Sequence, residues 1–313
     1  MRDVYIINPA SGKYDNTKEL TEQIHNVYGE DVKILITKGV GDAYNLARAE
    51  AETGDEVRIF ACGGDGTSFE VLNGIVGFKN AAIGVIPVGS ANDFIKYFGI
   101  DSKKDFLDIN KQRKGSLIPI DIIKANDQYC MNQCCAGMDA HIADRMKNFK
   151  RLPGVSGPMA YNFALVRTVF GKIGITAKFY LDGEEFSSGD FLFGICANAP
   201  VYGGGYVSAP LATVNDGLLD CVLIKKLSRL RFPKLLPIYK RGEHIGLDIC
   251  KFSNCKVFEI KTNKPIPVSL DGEIIHSDYV KCEIVEKAVN LVVPEGLIER
   301  LPKNTQKELL KTC

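Results

Sequence analysis

The chain has 313 residues, of which 45% are hydrophobic and 25% charged, and its formal net charge is +1. This composition is typical of a globular protein long enough for two hydrophobic cores. The balanced charge gives no electrostatic reason to expect nucleic-acid binding. The first apolar run is too short for a signal peptide, and no apolar stretch has the length of a membrane-spanning helix.

Ten cysteines are scattered along the chain without a C-x-x-C pair. Their spacing therefore predicts neither a metal site nor a disulfide framework. We expect reduced, mostly buried thiols, with Cys130, Cys134 and Cys135 in the core of a strand, and hence a cytoplasmic protein.

Strand and helix patterns alternate over the first hundred residues, which predicts a parallel sheet covered by helices. The expected strands are Val4–Ile7, Lys33–Thr37, Val57–Ala61 and Ala82–Ile86, and the clearest helices are Thr17–Tyr28 and Phe69–Val76. The loops NPASGK, GGDGT and PVGSAND each follow one of these strands. All three are therefore expected at the carboxyl edge of the sheet, where ligands bind in this architecture.

The pattern changes after about Ser116 to short strands and turns. Asn126-Asp127 and Asp182-Gly183 predict hairpins, and a helix is expected at Met159–Phe170. The fold class is therefore α/β plus all-β, with a nucleotide-binding domain over residues 1–117 and an antiparallel β-sandwich for the substrate over 118–294. Residues 295–313 are predicted to pack back on the first domain, with a helix at Leu297–Leu310.

The stretch 61-ACGGDGTSFE-70 carries the strongest chemical signal. Its glycines let a ligand approach the backbone, and consecutive N–H groups can form a nest for phosphate oxygens. A helix that starts near Ser68 would add its positive end. Asp65 fits beside a phosphate if it holds Mg²⁺, or orients the nucleotide or the attacking hydroxyl. The alternative is a tight strand-to-helix turn with Asp65 as its N-cap.

The loop 8-NPASGK-13 repeats this logic after the first strand. Gly12 opens the backbone, while Ser11 and Lys13 offer a hydroxyl and a positive charge to phosphates. The spacing is not that of a P-loop, and a plain strand-to-helix turn is an equally good interpretation.

In 87-PVGSANDF-94, Gly89 and Ser90 can meet a phosphate or a ribose. Asn92 and Asp93 could instead cap the helix that follows, and capping is the favoured role for Asn92.

Together these motifs resemble the diacylglycerol kinase catalytic family, to which bacterial lipid kinases and the sphingosine and ceramide kinases belong. The resemblance continues through 202-YGGGYVSAPLATVNDGLLD-220 and 269-SLDGE-273, so it covers essentially the whole chain in the correct order. NAD kinases and phosphofructokinases share a GGDG-type loop but are not expected to carry the later motifs.

The resemblance implies ATP, Mg²⁺ and a lipid hydroxyl as reactants. Asp216 matches the acid that holds Mg²⁺, with the carbonyls of Thr213 and Leu218 as further ligands. The proton acceptor is Asp271 or Glu273, with Asp65 as a third catalytic acid. Together with the loop chemistry, the resemblance assigns these positions to the nucleotide: Asn8, Pro9, Ser11, Gly12, Lys13, Thr37, Gly63, Gly64, Asp65, Gly66, Thr67, Glu70, Gly89, Ser90, Asn92 and Asp93.

One departure from the family pattern concerns the metal segment. Asn215 stands where the family usually has a second acid, so one negative charge is missing. This predicts weaker Mg²⁺ binding.

The sequence thus predicts an ATP-dependent kinase of a lipid hydroxyl, with diacylglycerol as the default acceptor. A NAD or small-polyol kinase and a non-catalytic nucleotide or lipid sensor are the alternatives. Asp139 either helps to position the substrate or only packs. Residues 225–241 contain seven Lys or Arg and no acid, which fits peripheral contact with the inner face of a membrane or a plain solvated helix. A homodimer is left open.

Overall fold

We analysed a computed structural model of the chain, which describes residues 1–149, 167, 174–301 and 303–310. The helix predicted at Met159–Phe170 falls almost entirely outside these residues. Among the described helices, none is long and apolar enough to cross a membrane.

The N-terminal part alternates strand and helix as its sequence pattern predicts. Its strands pair in parallel in the order β2-β1-β3-β4. The elements are β1 (Arg2–Ile7), α1 (Thr17–Tyr28), β2 (Lys33–Ile36), α2 (Asp42–Ala51), β3 (Val57–Gly63), α3 (Asp65–Ile75) and β4 (Ala81–Pro87). Short 3₁₀ turns at Phe94–Phe98 and Ile100–Ser102 and two small helices, α4 (Lys103–Phe106) and α5 (Ile109–Arg113), follow.

This parallel sheet is buried on both faces, because helices cover each side. Side chains alternate along β1: Val4 and Ile6 enter one apolar cluster, and Tyr5 and Ile7 enter another on the opposite face. A strand buried on both faces needs a continuous run of largely apolar side chains, which explains why VYII carries no charged residue.

The C-terminal part is mainly antiparallel. Its strands are β5 (Ser116–Ala125), β6 (Gln128–Cys130), β7 (Gln133–Gly137), β8 (Ile175–Leu181), β9 (Glu184–Ala197), β10 (Val201–Tyr202), β11 (Tyr206–Val207), β12 (Leu219–Lys225), β13 (Cys250–Cys255), β14 (Val257–Leu270) and β15 (Glu273–Val293). The helices are α6 (Met138–Phe149), α7 (Phe232–Lys240) and α8 (Lys303–Leu310), with a 3₁₀ turn at Ile298–Arg300.

The hairpin turns form where the sequence predicts them. Asp182-Gly183 joins β8 to β9, and Asp271-Gly272 joins β14 to β15. Asp182 and Asp271 have φ angles of 49° and 48°, and the glycines that follow have φ of 90° and 94°. Two consecutive residues in this left-handed region give the turn whose twist matches a hairpin.

β15 joins the two parts into one hydrogen-bonded sheet. Its first half pairs with β14, and its second half pairs with β5 and runs parallel to β4, where Asn290 lies opposite Ala82. After this strand the chain returns to the N-terminal core, because Leu297, Leu301 and Leu309 are buried in the same cluster as Val4. The chosen boundary at residue 117 remains a prediction.

The beginning of α3 differs from the sequence prediction. The helix begins at Asp65 rather than near Ser68, and Gly64 is its N-cap in extended conformation. The backbone N–H groups of Thr67 and Ser68 both donate to the carbonyl of Gly64 at 3.1 Å. The first helical turn therefore forms inside the glycine motif itself.

Candidate active site

A cavity of about 800 Å³ lies between the two parts of the chain. Gly64, Asp65 and Gly66 line it from α3, and Ser90 to Asp93 line it from the loop after β4. Asp271 and Glu273 enter from the β14–β15 turn. Motifs separated by about two hundred residues in the sequence therefore meet around one space.

The loops after β3 and β4 touch backbone to backbone. The N–H of Gly89 donates to the carbonyl of Gly63 at 3.0 Å. A Cβ on Gly89 would lie 2.3 Å from the Cα of Gly64, a distance that no side chain permits. Glycine at position 89 is thus required for this close approach.

Asp65 connects the same two loops. Its carboxylate oxygens accept hydrogen bonds from the backbone N–H groups of Asn92 and Asp93, at 2.9 and 2.8 Å. Burial raises the pKa of Asp65, and the negative charge of Asp93 raises it further, while the two amides oppose the shift. The structure therefore gives Asp65 a long-range role that the turn interpretation did not include.

The capping roles considered for these acids and Asn92 are not observed. The N-cap of α3 is Gly64 rather than Asp65. Asn92 donates its side-chain amide to the carbonyl of Gly63 at 3.0 Å, and Asp93 makes no side-chain capping bond to its helix. Asp93 pairs instead with Lys96 and accepts from the N–H of Gly204 at 3.0 Å. The capping prediction was wrong because these side chains bond to other loops.

The NPASGK loop packs beside the glycine motif. The side-chain amide of Asn8 donates to the hydroxyl of Thr67 at 2.9 Å, and the N–H of Gly64 donates to the Ser11 hydroxyl at 3.3 Å. Gly12 has a φ of 88° and leaves no room for a Cβ beside the carbonyl of Val88. Pro9 lies between these contacts, and Lys13 is exposed with its ammonium over the ring of Tyr14.

Thr37 and Glu70 are not among the residues that line the cavity, and neither are residues 8–13, Gly63, Thr67 and Gly89. The backbone N–H of Thr37 donates to the carbonyl of Ile7 at 2.9 Å, at the end of β2. The carboxylate of Glu70 accepts from the N–H groups of Gly41 and Ala43, at 2.8 and 3.1 Å. Glu70 thus holds the start of α2 against α3.

The two acids of the SLDGE motif have different environments. Asp271 accepts hydrogen bonds from the backbone N–H groups of Met131, Asn132 and Gln133, at 2.7 to 3.2 Å. Burial raises its pKa to about 7, the amides oppose this shift, and the charge of Asp65 adds to it. Glu273 instead reaches the first turn of α3, where its Oε1 lies 3.2 Å from the position of a Cβ on Gly66.

The predicted metal segment lies away from the residues that line the cavity. The Asp216 carboxylate is exposed and accepts from the N–H of Leu218 at 3.0 Å. The carboxylate of Asp121 anchors the segment, because it accepts hydrogen bonds from the backbone N–H groups of Gly217 and Lys287, each at 2.7 Å. Burial raises the pKa of Asp121, and the charge of Asp216 raises it further. Burial also raises the pKa of Asp220 to about 7, with Asp216 again adding to the shift.

This concentration of negative charge fits a divalent cation at Asp216, because the cation would offset the repulsion among the acids. Among the described residues, the group with three close metal-ligating side-chain atoms is instead the sulfurs of Cys134, Cys196 and Cys282, which lie within 4.8 Å of one another in the core. A metal at Asp216 would therefore depend on backbone carbonyls, as the family resemblance implies for Thr213 and Leu218.

The sequence analysis did not identify three kinds of residue that contact the metal segment or the cavity. Asp121 had a visible signal, since it is the one acid in the run 118-IPIDII-123. The ammonium of Lys103 donates to the carbonyl of Gly89 at 3.1 Å. Lys103 belongs to none of the motifs found in the sequence. Tyr202 begins the motif 202-YGGGYVSAPLATVNDGLLD-220 and Tyr239 lies in the basic segment 225–241, but neither was assigned to the site; both line the cavity, from β10 and α7.

Comparisons with known proteins decide the family. The model described as diacylglycerol kinase catalytic domain matches residues 3–125, and the model described as YegS C-terminal NAD kinase beta sandwich-like domain matches residues 132–293. The second match covers more than half of the chain. The chain belongs to the diacylglycerol kinase family of YegS type.

Similar proteins span 80% or more of this diacylglycerol kinase family member. The diacylglycerol kinase of Bacillus subtilis (strain 168) is 28% identical over 302 residues, which is 95% of this chain and 97% of that protein. A probable lipid kinase YegS-like of Shewanella frigidimarina (strain NCIMB 400) is 29% identical over 254 residues, 80% of each chain.

Solved structures share the fold of this family member. A diacylglycerol kinase from Bacillus anthracis (strain Sterne) has a TM-score of 0.67 at 21% identity, covering 95% of this chain and 98% of that one. A yeast NADH kinase in complex with NADH has a TM-score of 0.51 at 12% identity, covering 99% and 88%. The N-terminal parallel sheet and the C-terminal antiparallel sandwich predicted from the sequence are thus confirmed.

Proposed function

We propose that this chain is an ATP-dependent lipid kinase that transfers the γ-phosphate to a lipid hydroxyl, with diacylglycerol as the reference acceptor. The observation that supports this most directly is the set of residues that line the cavity. Gly64, Asp65, Gly66 and Glu273 line it together with the apolar side chains of Ile142, Phe193 and Leu235, which belong to one apolar cluster. A phosphate site beside an apolar chamber suits a lipid acceptor better than a dinucleotide.

The nucleotide phosphates would lie against the N-terminal turn of α3. The backbone N–H groups of Asp65 and Gly66 lie in the first turn of this helix, which favours anions through its unpaired amides and dipole. The loops that carry these groups are fixed by Asp65 and by the contact between Gly64 and Gly89. Such fixed donors can stabilise charge in the transition state without reorganisation.

We assign proton abstraction from the acceptor hydroxyl to Glu273. Its carboxylate lies against Gly66, so it is next to the proposed phosphate site. Both oxygens of Asp271 already accept backbone hydrogen bonds, which makes Asp271 a positioning residue for the turn. A carboxylate at the meeting point of hydroxyl and phosphate is a suitable general base.

The proposal places Mg²⁺ in two positions. Bound to the nucleotide, it would neutralise phosphate charge during transfer. Near Asp216, Thr213 and Leu218, it would hold a surface segment whose neighbouring acids, Asp121 and Asp220, have raised pKa values. In the second position Asp216 and the two carbonyls would hold the metal, which would supply positive charge beside these acids.

The test is product analysis. The purified protein is incubated with Mg²⁺, labelled ATP and micelles that contain diacylglycerol or other hydroxyl lipids, and in parallel with NAD in place of lipid. Glu273→Gln serves as the matched inactive control. Mass spectrometry is expected to find a lipid phosphate that depends on Glu273. Phosphorylation of NAD instead, or labelled product at equal rate with the Glu273→Gln variant, would contradict the proposal.

A further inference from the structure

Three cysteine side chains meet in the core of the antiparallel part. Cys134 lies in β7, Cys196 in β9 and Cys282 in β15. Their sulfur atoms all lie within 4.8 Å of one another. Each of the three residues is 0% exposed, and none of them forms a disulfide. Among the residues that the structure describes, this is the one group of three His, Cys or carboxylate side chains close enough to hold a metal ion.

Strand pairing explains how these distant residues converge. Cys134 and Cys196 lie directly opposite each other in the antiparallel pair of β7 and β9. Cys282 is paired instead with Phe258 of β14 and Ala125 of β5. Its sulfur therefore reaches the other two across the interior of the sandwich, where all three residues belong to one apolar cluster. The fold creates this group, and no short cysteine motif in the sequence is needed for it.

The sulfur group is separate from the cavity of the proposed transfer site. Successive side chains of a strand point to opposite faces. Cys134 accordingly enters the cluster of Cys196 and Cys282, whereas Cys135 enters another cluster and lines the cavity. None of the three clustered cysteines is among the residues that line the cavity. A ligand of these sulfurs is therefore recognised by chemistry different from that of a nucleotide or a lipid.

The donor atoms determine which cation the group suits. Mg²⁺ prefers oxygen ligands, whereas thiolates select soft cations such as Cu(I) and Zn²⁺. Structural zinc sites take four ligands, but here three sulfurs converge among apolar side chains that include Phe179 and Val268. Cu(I) is a d¹⁰ ion that accepts three sulfur ligands in a plane. Three converging sulfurs in an apolar core thus favour Cu(I) over Zn²⁺.

The spacing of the sulfurs agrees with this geometry. A metal–sulfur distance of about 2.3 Å, with the metal at the centre of a triangle, separates the sulfurs by about 4.0 Å. The three sulfurs already lie within 4.8 Å of one another, so small side-chain movements bring them to this spacing. Each cysteine that binds as a thiolate releases its S–H proton to the solvent. Because the sulfurs are buried, the metal is taken up as the chain folds.

We propose that Cys134, Cys196 and Cys282 form a binding site for the soft cation Cu(I), with their three sulfurs as its ligands. The site does not depend on the proposed kinase function. Bound Cu(I) connects β7, β9 and β15 in the core. A ligand that binds the native state and not the unfolded state increases the free energy of unfolding, so the loaded protein is the more stable form.

Metal uptake during synthesis tests the site. The full chain carries Cys250→Ser and Cys313→Ser, because Cys250 is half-buried and Cys313 lies outside the described residues. It is produced in cells grown with added copper or with added zinc, purified without oxygen, and dialysed against a Cu(I) chelator. Elemental mass spectrometry is expected to find one copper ion per chain after growth with copper. X-ray absorption at the copper edge is expected to show sulfur neighbours at about 2.3 Å, and the copper-loaded protein is expected to have the higher Tm.

The variants Cys196→Ala and Cys282→Ala each remove one ligand from the same background. The copper retained after dialysis is expected to fall at least about tenfold in each, since even the loss of an outer-shell partner has an effect of this size. Cys62→Ala is the matched control, because it removes a fully buried thiol from a different apolar cluster, and its copper content is expected to equal that of the parent. If one ligand variant does not fold, the other supplies the comparison.

Three outcomes overturn the proposal. The first is a parent protein that retains no copper after growth with copper. The second is equal copper in the parent, Cys196→Ala and Cys282→Ala, which would assign the metal to other groups. The third is retention of zinc with exclusion of copper, which would reject Cu(I) as the cation. Each of these outcomes leaves the kinase proposal unaffected.

Discussion

Asp65 accepts a hydrogen bond from the backbone N–H of Asn92 at 2.9 Å, and so joins the glycine turn after β3 to the loop after β4. The two residues are 27 positions apart, and the bond closes the carboxyl edge of the sheet at the cavity. Asp65 is thus both a carboxyl group near the proposed phosphates and the connection between the two loops that would hold them.

Asp65→Asn is expected to lower kcat/KM for the lipid acceptor by at least about 10²-fold, the scale of losing one preorganised electrostatic contact. The side-chain amide of the variant has only one acceptor oxygen, so its NH2 group would face one of the two backbone N–H groups that Asp65 now binds. This repulsion is also expected to move the two loops apart. A labelled-ATP assay measures the loss, and thermal unfolding shows how far the fold is affected. Normal turnover in the folded variant would remove Asp65 from the chemistry.

Glu273→Gln is expected to lower activity, whereas Asp271→Asn is expected to lower stability. Glu273→Gln should lower kcat by about 10²-fold or more, as for a lost general base, with little change in Tm. Asp271→Asn should lower the free energy of unfolding by about 2 kcal/mol or more, because three backbone amides lose a charged acceptor. Steady-state kinetics and urea unfolding of both variants measure this. If Asp271→Asn alone lowers kcat and leaves stability unchanged, the two roles are reversed.

Because several acids are buried, we expect the free energy of unfolding to fall as pH rises. Burial raises the pKa of Asp139 to about 6 and that of Asp271 to about 7, above their values in an unfolded chain. The native state therefore binds more protons than the unfolded state between about pH 4 and 7, so the free energy of unfolding decreases across this range. Urea unfolding at pH 5, 6, 7 and 8 measures the slope, and Asp139→Asn should flatten it between pH 5 and 7. A stability that increases over this range would contradict the raised pKa values.

Mg²⁺ is expected to stabilise the protein through the segment around Asp216. Binding to the native state alone contributes about 2.7 kcal/mol when the free metal is at one hundred times its Kd. Added Mg²⁺ should therefore raise the Tm of wild type, and this increase should disappear in Asp216→Ala. Asn215→Asp provides the complementary control, since the restored charge should lower the Mg²⁺ concentration needed. An equal increase in Tm for wild type and Asp216→Ala would place the metal elsewhere.

The basic segment 225–241 is expected to bind anionic membranes mainly through charge. α7 turns Phe232 and Leu235 inward, so its apolar side packs on the protein, and Leu230 remains 88% exposed. Arg229, Arg231 and Lys234 are on the exposed surface, and each cation near an anionic bilayer contributes about 1 kcal/mol.

Co-sedimentation with vesicles tests this surface. Binding should be stronger on anionic than on neutral vesicles, and it should weaken as salt is added. Neutralising Arg229, Arg231 and Lys234 together should reduce it. Equal binding of the triple variant would assign the membrane contact to another surface, without affecting the kinase proposal.

The sequence by itself determined those features that depend on neighbouring residues. Asp271-Gly272 predicts a hairpin because these two residue types adopt positive φ at low cost, and the turn forms there. The apolar run of β1 predicts a strand buried on both faces, and the order of strands and helices predicts a parallel sheet. The same strand order predicted that the loops after β3 and β4 share one edge of the sheet, and they touch there.

Tertiary structure alone decided what each acid contacts. Asp271 and Glu273 are two positions apart and equally plausible as bases in sequence, yet Asp271 meets the N–H of Asn132, 139 residues away, and Glu273 meets Gly66. Asp139 accepts a hydrogen bond from Tyr202, which is 63 positions away in another element. Such partners depend on how β15 joins the two halves into one sheet, and pairings between distant segments leave no pattern in the residues around either partner.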